Sequence, residues 1–221
     1  MGARRWLELV NQRHPWNHNE HFHGWILRNL PARRGRALEV GCGTGGLLEK
    51  LVREFTHVTA VDADENMAAT AGHRLATNPR VTVCHAAFEG FASTVDDGAF
   101  DLITMVAVLH HLDLEETLAT IPRLLAPGGR LLVVGLARVD SRSDLAIDLV
   151  SAAVNPMVGV AKHPRSAPRS SGPAEAPPVA PVKAPSMTMT DVARAASTHL
   201  PGSRPRRRLF FRYTLRWDRP A

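Results

Sequence analysis

The sequence predicts an α/β fold in three layers, with helices on both faces of a mostly parallel sheet. Three observations carry this expectation. From residue 36 onward, short apolar segments alternate with segments of helical period, the pattern of strand–helix–strand crossovers. Residues 100–109 and 130–136 are near-continuous apolar runs, as strands buried on both faces require. A glycine cluster, Gly41-Cys42-Gly43-Thr44-Gly45-Gly46, separates one such strand from the helix after it.

Taken in order, residues 3–11 and 17–30 read as helices. In the second, Phe22, Trp25, Ile26 and Leu30 share a face, and Pro31 ends it. Strand 36–40 runs into the glycine cluster, and residues 47–55 continue at helical spacing. Strand 57–62, helix 65–77 and strand 81–84 follow, with Asn78-Pro79 stopping the helix. Strand 100–109 precedes helix 114–125, which Pro122 is expected to distort. Pro127-Gly128-Gly129 is a turn before the fifth strand, 130–136. Residues 144–154 read as a helix. The stretch 164–185 holds seven of the chain's 16 prolines and reads as an extended, mobile loop. Helix 190–200 follows. Residues 206–217 then alternate with period two, as one half-buried antiparallel strand would: Leu209, Phe211, Tyr213, Leu215 and Trp217 face inward, Arg206, Arg208, Arg212, Thr214 and Arg216 face solvent, and Phe210 is the exception. The expected strand order is 3-2-1-4-5 with this last strand antiparallel beside the fifth; a sixth strand is short or missing.

Length and composition bound the function. With 221 residues, 44% hydrophobic and 22% charged, the chain suits one soluble domain. Its parts are an N-terminal helical flap (1–34), a ligand-binding core (36–137), a Pro-rich loop (155–187) and a last helix with a terminal strand (188–221). No apolar run approaches the roughly 20 residues that span a bilayer, and the first residues lack a signal peptide's pattern. Two cysteines allow no disulfide framework. A cytoplasmic protein without a membrane partner is expected. Residues 1–150 hold 15 Lys+Arg against 18 Asp+Glu, or −3; residues 151–221 hold 12 against 3, or +9. This C-terminal excess reads as a solvated basic segment or as a footprint for nucleic acid.

The glycine cluster is the strongest chemical signal. Gly41, Gly43 and Gly46 fit a dinucleotide fingerprint, and Asp62 stands at the end of the next strand, where a carboxylate binds ribose hydroxyls. Glu39 points elsewhere: an acid just before the glycines suits a cationic or amino-bearing ligand and repels a pyrophosphate. The block Leu38-Glu39-Val40-Gly41-Cys42-Gly43-Thr44-Gly45 resembles the first motif of the class I, Rossmann-like S-adenosylmethionine-dependent methyltransferases. The resemblance extends through Val61-Asp62, through Phe100-Asp101-Leu102-Ile103-Thr104 with Val108-Leu109-His110-His111-Leu112, and through Leu124-Leu125-Ala126-Pro127-Gly128-Gly129.

The resemblance implies S-adenosylmethionine as cofactor and S-adenosylhomocysteine as product. It places Glu39 near the methionine end, and the backbone of Gly41, Cys42, Gly43, Thr44 and Gly45 around methionine and ribose. It gives Asp62 the ribose hydroxyls, puts Ala63 and Met67 against adenine, and adds Val106 at the end of the fourth strand. The plain alternative for Met67 is helix core. Where the family often carries an acid for the adenine amino group, this chain has Ala87, leaving Phe88 to offer a backbone N–H and an aromatic wall. His110 and His111 fall where the family faces its acceptor and are candidate general bases; their plain alternative is capping of strand or helix. The resemblance also implies a flap over the methyl group, here Trp16, His18, His21 and Phe22. No metal is expected, because no Cys/His spacing suits one. The implied function is methyl transfer to a small-molecule acceptor, at oxygen first and then nitrogen or carbon. An RNA or protein methyltransferase using the basic C-terminal segment, and a non-catalytic S-adenosylmethionine-binding protein, are the alternatives.

Overall fold

The computed structural model describes residues 18–140, 151, 154 and 184–221. The expected helices 3–11 and 144–154 (save Ser151 and Val154), Trp16 of the flap and nearly all of the Pro-rich loop lie outside these residues. A seven-stranded sheet organises the rest, in the order β3-β2-β1-β4-β5-β7-β6. Its parallel members are β1 (Arg36–Val40), β2 (His57–Asp62), β3 (Val81–His85), β4 (Phe100–Val106) and β5 (Leu125–Gly135). Strand β7 (Arg212–Asp218) runs antiparallel to β5, and β6 (Arg206–Arg208) antiparallel to β7. This is the expected Rossmann-like order. The direction of winding reverses between β1 and β4, and such a reversal opens a crevice at the carboxyl ends of the strands.

Alternation along the strands sends side chains to two cores. On β5, Leu132 and Val134 face one side and Leu131 and Val133 the other. The first side is closed by α1 (His18–Arg28), α2 (Leu48–Leu51) and α3 (Glu65–Arg74), through Phe22, Ile26, Leu48, Leu51 and Ala71. The second is closed by α4 (Phe88–Ser93), α5 (Leu114–Leu124) and α6 (Met189–His199), through Phe88, Leu118, Ile121, Val192 and Ala195. Caps set the helix starts. Asp64 accepts from Asn66 N and Met67 N, Asp113 from Glu116 N, and Thr188 forms a reciprocal box with Asp191. Pro122 sits in the last turn of α5, and the helix closes at Leu124.

Strand β5 begins at Leu125, so the expected turn Pro127-Gly128-Gly129 lies inside it, and three other expectations change. The α-helix after the glycines is shorter than residues 47–55, giving way to turns after Leu51. Strand β4 stops at Val106, because Ala107 takes a left-handed conformation (φ 55°) and the chain turns into a 3-10 segment, Leu109–His111. The single terminal strand 206–217 is instead a hairpin. Phe210 and Phe211 both have φ 61°, so the chain reverses there and the expected alternation breaks. Leu209 is consequently 39% exposed, whereas Arg212 and Thr214, expected on a solvated face, are buried. The reason is α1, which covers that face: Arg212 Nε and Nη2 donate to Asn19 Oδ1 at 3.2 and 2.9 Å.

Candidate ligand crevice at the β1–β4 switch

The glycine loop is bent around the end of β2. Gly41 N and Cys42 N both donate to Val61 O, at 2.8 and 3.3 Å. Gly41 (φ 71°) lies so close to the turn after β4 that a Cβ there would stand 2.7 Å from Val108 Cβ and Cγ2. Gly43 (φ 53°) differs: a Cβ there would meet nothing within 4 Å. Its N–H donates to Asp62 Oδ2 at 2.7 Å, while Asp62 Oδ1 accepts from Asp64 N at 3.0 Å. Asp62 therefore fixes the loop and the start of α3 together. From outside, Arg74 donates to Thr44 O at 3.3 Å and pairs with Glu49 at 2.6 Å.

Glu39 is the electrostatic centre of the site. It is 3% exposed, and its Oε2 has no hydrogen-bond partner among the described residues. Burial, and then the charge of Asp62, push its carboxyl well above the usual carboxylate range. Burial and both acids push the Cys42 thiol up as well, so Cys42 remains a thiol. A buried carboxyl with an open oxygen, next to a second acid and a glycine cradle, fits a compact ligand carrying positive charge and a diol. An anionic pyrophosphate would meet two acids there. S-adenosylmethionine, with an ammonium, a sulfonium and a ribose, matches this donor set.

The other expected residues fall around the same strand ends. Val106 closes β4, Ala63 is exposed after β2, and Met67 is a buried residue of α3. Ala87 is the exposed residue before α4 and Phe88 its buried first residue. His110 and His111 lie in the 3-10 segment after β4, ring centroids 4.1 Å apart, His110 buried and His111 exposed. Of the residues expected to form a flap, His18 and His21 pack with the C-terminal hairpin, and Phe22 with His21. His18 stacks on Phe210 at 6.0 Å, and His21 meets Phe210 and Phe22 edge-on at 5.1 and 5.2 Å. The β5–β7 register pairs Gly135 with Tyr213, which puts this aromatic cluster beyond the carboxyl end of β5. A separate cleft of about 250 Å³ opens between α4 and α5, lined by Phe88, Glu89, Glu116, Thr117 and Arg123 among others. It contains neither the glycine loop nor Glu39. Among the described residues, no group of three or more His, Cys, Asp or Glu is placed to hold a metal, and no helix is long and apolar enough to cross a membrane.

Sequence reasoning missed His23 and passed over Tyr213. His23 is buried on α1 and accepts from Lys50 Nζ at Nδ1, 3.0 Å away; burial and that ammonium lower its pKa to about 4. Its ring stands against Gly46, where a Cβ would be 3.8 Å from Cε1, so α1 seals the outer side of the loop. The only signal in the sequence was its place beside Phe22 and Ile26 on the apolar face. Tyr213 was read as an inward residue of the last strand, which it is, but its hydroxyl has no hydrogen-bond partner among the described residues.

Strand order, glycine loop and paired acids define a ligand-binding α/β domain of the class that carries S-adenosylmethionine. Comparison with known proteins agrees. The methyltransferase-domain family matches residues 38–133. An uncharacterized methyltransferase of Mycobacterium tuberculosis (strain H37Rv) is 30% identical over 211 residues, 94% of this chain and 98% of that protein. A ubiquinone biosynthesis O-methyltransferase of Aromatoleum aromaticum is 33% identical over 132 residues, 58% of this chain and 56% of that one. Among solved structures, an S-adenosylmethionine-dependent methyltransferase from Aquifex aeolicus superposes with a TM-score of 0.58 at 15% identity, covering 99% of this chain and 100% of that one. The CurJ carbon methyltransferase gives 0.59 at 18%, covering 92% and 54%. The chain belongs to the class I, Rossmann-like S-adenosylmethionine-dependent methyltransferases.

Proposed function

We propose that the protein transfers a methyl group from S-adenosylmethionine to an oxygen of a small-molecule acceptor. The observation that carries the cofactor reading is Glu39, buried just before the glycine loop with a carboxyl oxygen that has no hydrogen-bond partner among the described residues. In this account Glu39 faces the cationic methionine end, the loop from Gly41 to Gly45 follows methionine and ribose, and Asp62 takes the ribose hydroxyls. Met67, Ala63, Ala87 and Phe88 border the adenine. When bound, the cofactor supplies a methyl on a positively charged sulfur, already activated for in-line displacement. The chain's task is to align the acceptor and exclude water. His110 and His111, after β4, are the proposed takers of the acceptor's hydroxyl proton. Val106, the last residue of β4, is assigned to the same cofactor site, and His18, His21, Phe22 and Trp16 to the cover.

Oxygen as the acceptor atom is supported by the kinship with the ubiquinone biosynthesis O-methyltransferase. The charge pattern weighs against RNA. Arg207, Arg208, Arg212, Arg216 and Arg219, five of the 12 basic residues of 151–221, each donate within the fold, to Ala137 O, Thr214 Oγ1, Asn19 Oδ1, Asp218 and Leu125 O respectively, so the terminal hairpin is held internally rather than laid out along a phosphate backbone. The test is methyl transfer from radiolabelled S-adenosylmethionine to phenols and catechols, with primary amines and bulk tRNA as comparators. Label in the phenols supports the reading; label only in amines or tRNA overturns the acceptor class.

A further inference from the structure

We infer that the Tyr213 hydroxyl is an acceptor-binding group: it donates a hydrogen bond to an oxygen of the molecule to be methylated. The inference rests on the methyltransferase reading above and deepens it. Tyr213 is the first residue of β7 after Arg212, paired across the sheet with Gly135, the last residue of β5. Its ring leans over that glycine. A Cβ at Gly135 would stand 2.2 Å from Tyr213 Cζ and 2.4 Å from its Oη. The phenol end therefore lies over the carboxyl end of β5, on the sheet face that α5 and α6 cover. There Ala107 N donates to Val134 O at 2.7 Å and the chain turns, strained at φ 55°, toward Leu109, His110 and His111. Carboxyl ends of parallel strands at a reversal of winding are where ligands of this architecture bind.

The hydroxyl needs an explanation that the ring does not supply. An aromatic ring filling the space over a glycine is satisfied equally by phenylalanine. The side chain is 0% exposed, and Oη has no hydrogen-bond partner among the described residues. A buried hydroxyl left without a partner is costly, so its retention points to a partner that arrives with the ligand. Burial pushes the phenol pKa up, so at neutral pH it offers a proton in a hydrogen bond and does not act as a base. As a donor it suits an oxygen with lone pairs on the molecule to be methylated, such as a phenolate, catechol or carbonyl oxygen.

The chain contains one tyrosine, so tyrosine labelled with ¹³C at Cζ gives one resonance. The full-length protein is titrated with S-adenosylhomocysteine and then with 3,4-dihydroxybenzoate, and the same is done for Tyr213→Phe, followed by tryptophan fluorescence. The expected result is a resonance that moves with the catechol acid beyond any effect of the cofactor product. Tyr213→Phe is expected to melt no lower than the parent, to keep its affinity for S-adenosylhomocysteine within twofold, and to bind the catechol acid about three- to tenfold more weakly, the range of one hydrogen bond. A lower melting temperature for Tyr213→Phe overturns the inference, because the hydroxyl then has its partner within the protein. So does a catechol acid that binds without moving the resonance, or that does not bind the protein loaded with S-adenosylhomocysteine. Failure of S-adenosylhomocysteine itself to bind overturns the cofactor reading instead, and the melting comparison still decides the role of Tyr213.

Discussion

Alanine at Gly41 and at Gly43 separates what the glycine loop does for the fold from what it does for the ligand. Both residues have positive φ, 71° and 53°, and a non-glycine residue there costs about 1–2 kcal/mol. At Gly41 the new methyl also lands 2.7 Å from two carbons of Val108, and overpacking of that kind costs about 1–3 kcal/mol more. Gly41→Ala should therefore lose about 2–5 kcal/mol, a fall in melting temperature of about 4–20 °C at about 2–4 °C per kcal/mol for a chain of this size. At Gly43 no atom lies within 4 Å of the added methyl, so the loss is the backbone cost alone, about 2–8 °C. Gly43 N still donates to Asp62 in the variant, so any loss of affinity reports the open face of the loop. Differential scanning fluorimetry and calorimetric titration with S-adenosylhomocysteine measure both quantities. Gly43→Ala should stay folded and bind more than tenfold more weakly. If it binds as tightly as the parent, the open side of Gly43 is not the ligand's side; if Gly41→Ala is the more stable of the two, the packing argument fails.

Other predictions follow from single contacts. Glu39 holds its proton in the folded state at a pH where the unfolded chain has released it, so its contribution to stability falls as pH rises above the usual carboxylate range. Glu39→Gln should flatten that part of the pH–stability curve, raise stability at neutral pH and abolish tight S-adenosylhomocysteine binding; an unchanged affinity contradicts its role. His23 behaves in the opposite sense: with a folded pKa of about 4 against 6.5 unfolded, its contribution is complete above pH 6.5 and is lost as pH falls toward 4. Urea titrations at pH 5 and 7 should show this as about 1–2 kcal/mol in the parent, after allowance for partial solvent screening, and less in His23→Phe. Thr188→Ala removes the reciprocal cap of α6 and should cost about 1 kcal/mol in urea unfolding, with S-adenosylhomocysteine affinity unchanged.

The parts of the fold that were legible in the sequence are those in which local pattern and tertiary environment agree. Strands β1, β2, β4 and β5 are buried on both faces and announce themselves as apolar runs, and the order of their sheet follows from the crossovers. Asp64 and Asp113 stand at helix starts that periodicity also marks. The terminal hairpin was illegible because its reversal uses Phe210 and Phe211 at positive φ, residues that carry no turn signal. Arg212 read as solvated because alternation says which side a residue faces but not that α1, nearly two hundred positions earlier, covers that side. At the site, Glu39, Asp62 and the glycines were legible from spacing. The buried pair of His23 and Lys50 and the open hydroxyl of Tyr213 were not, since both depend on contacts between distant segments. The flap residues His18 and His21 were legible as a face of a helix, but not their stacking on a hairpin tip.

The central claim is that Glu39, Asp62 and the loop between them form a site for a cationic nucleoside. Isothermal titration with S-adenosylhomocysteine, run beside NADH on the same preparation, tests it most directly. The account predicts micromolar binding of S-adenosylhomocysteine, with release of a proton visible in buffers of different ionisation enthalpy as Glu39 ionises against the ligand's ammonium, and no heat from NADH. Binding of NADH in preference, or of neither compound, contradicts it.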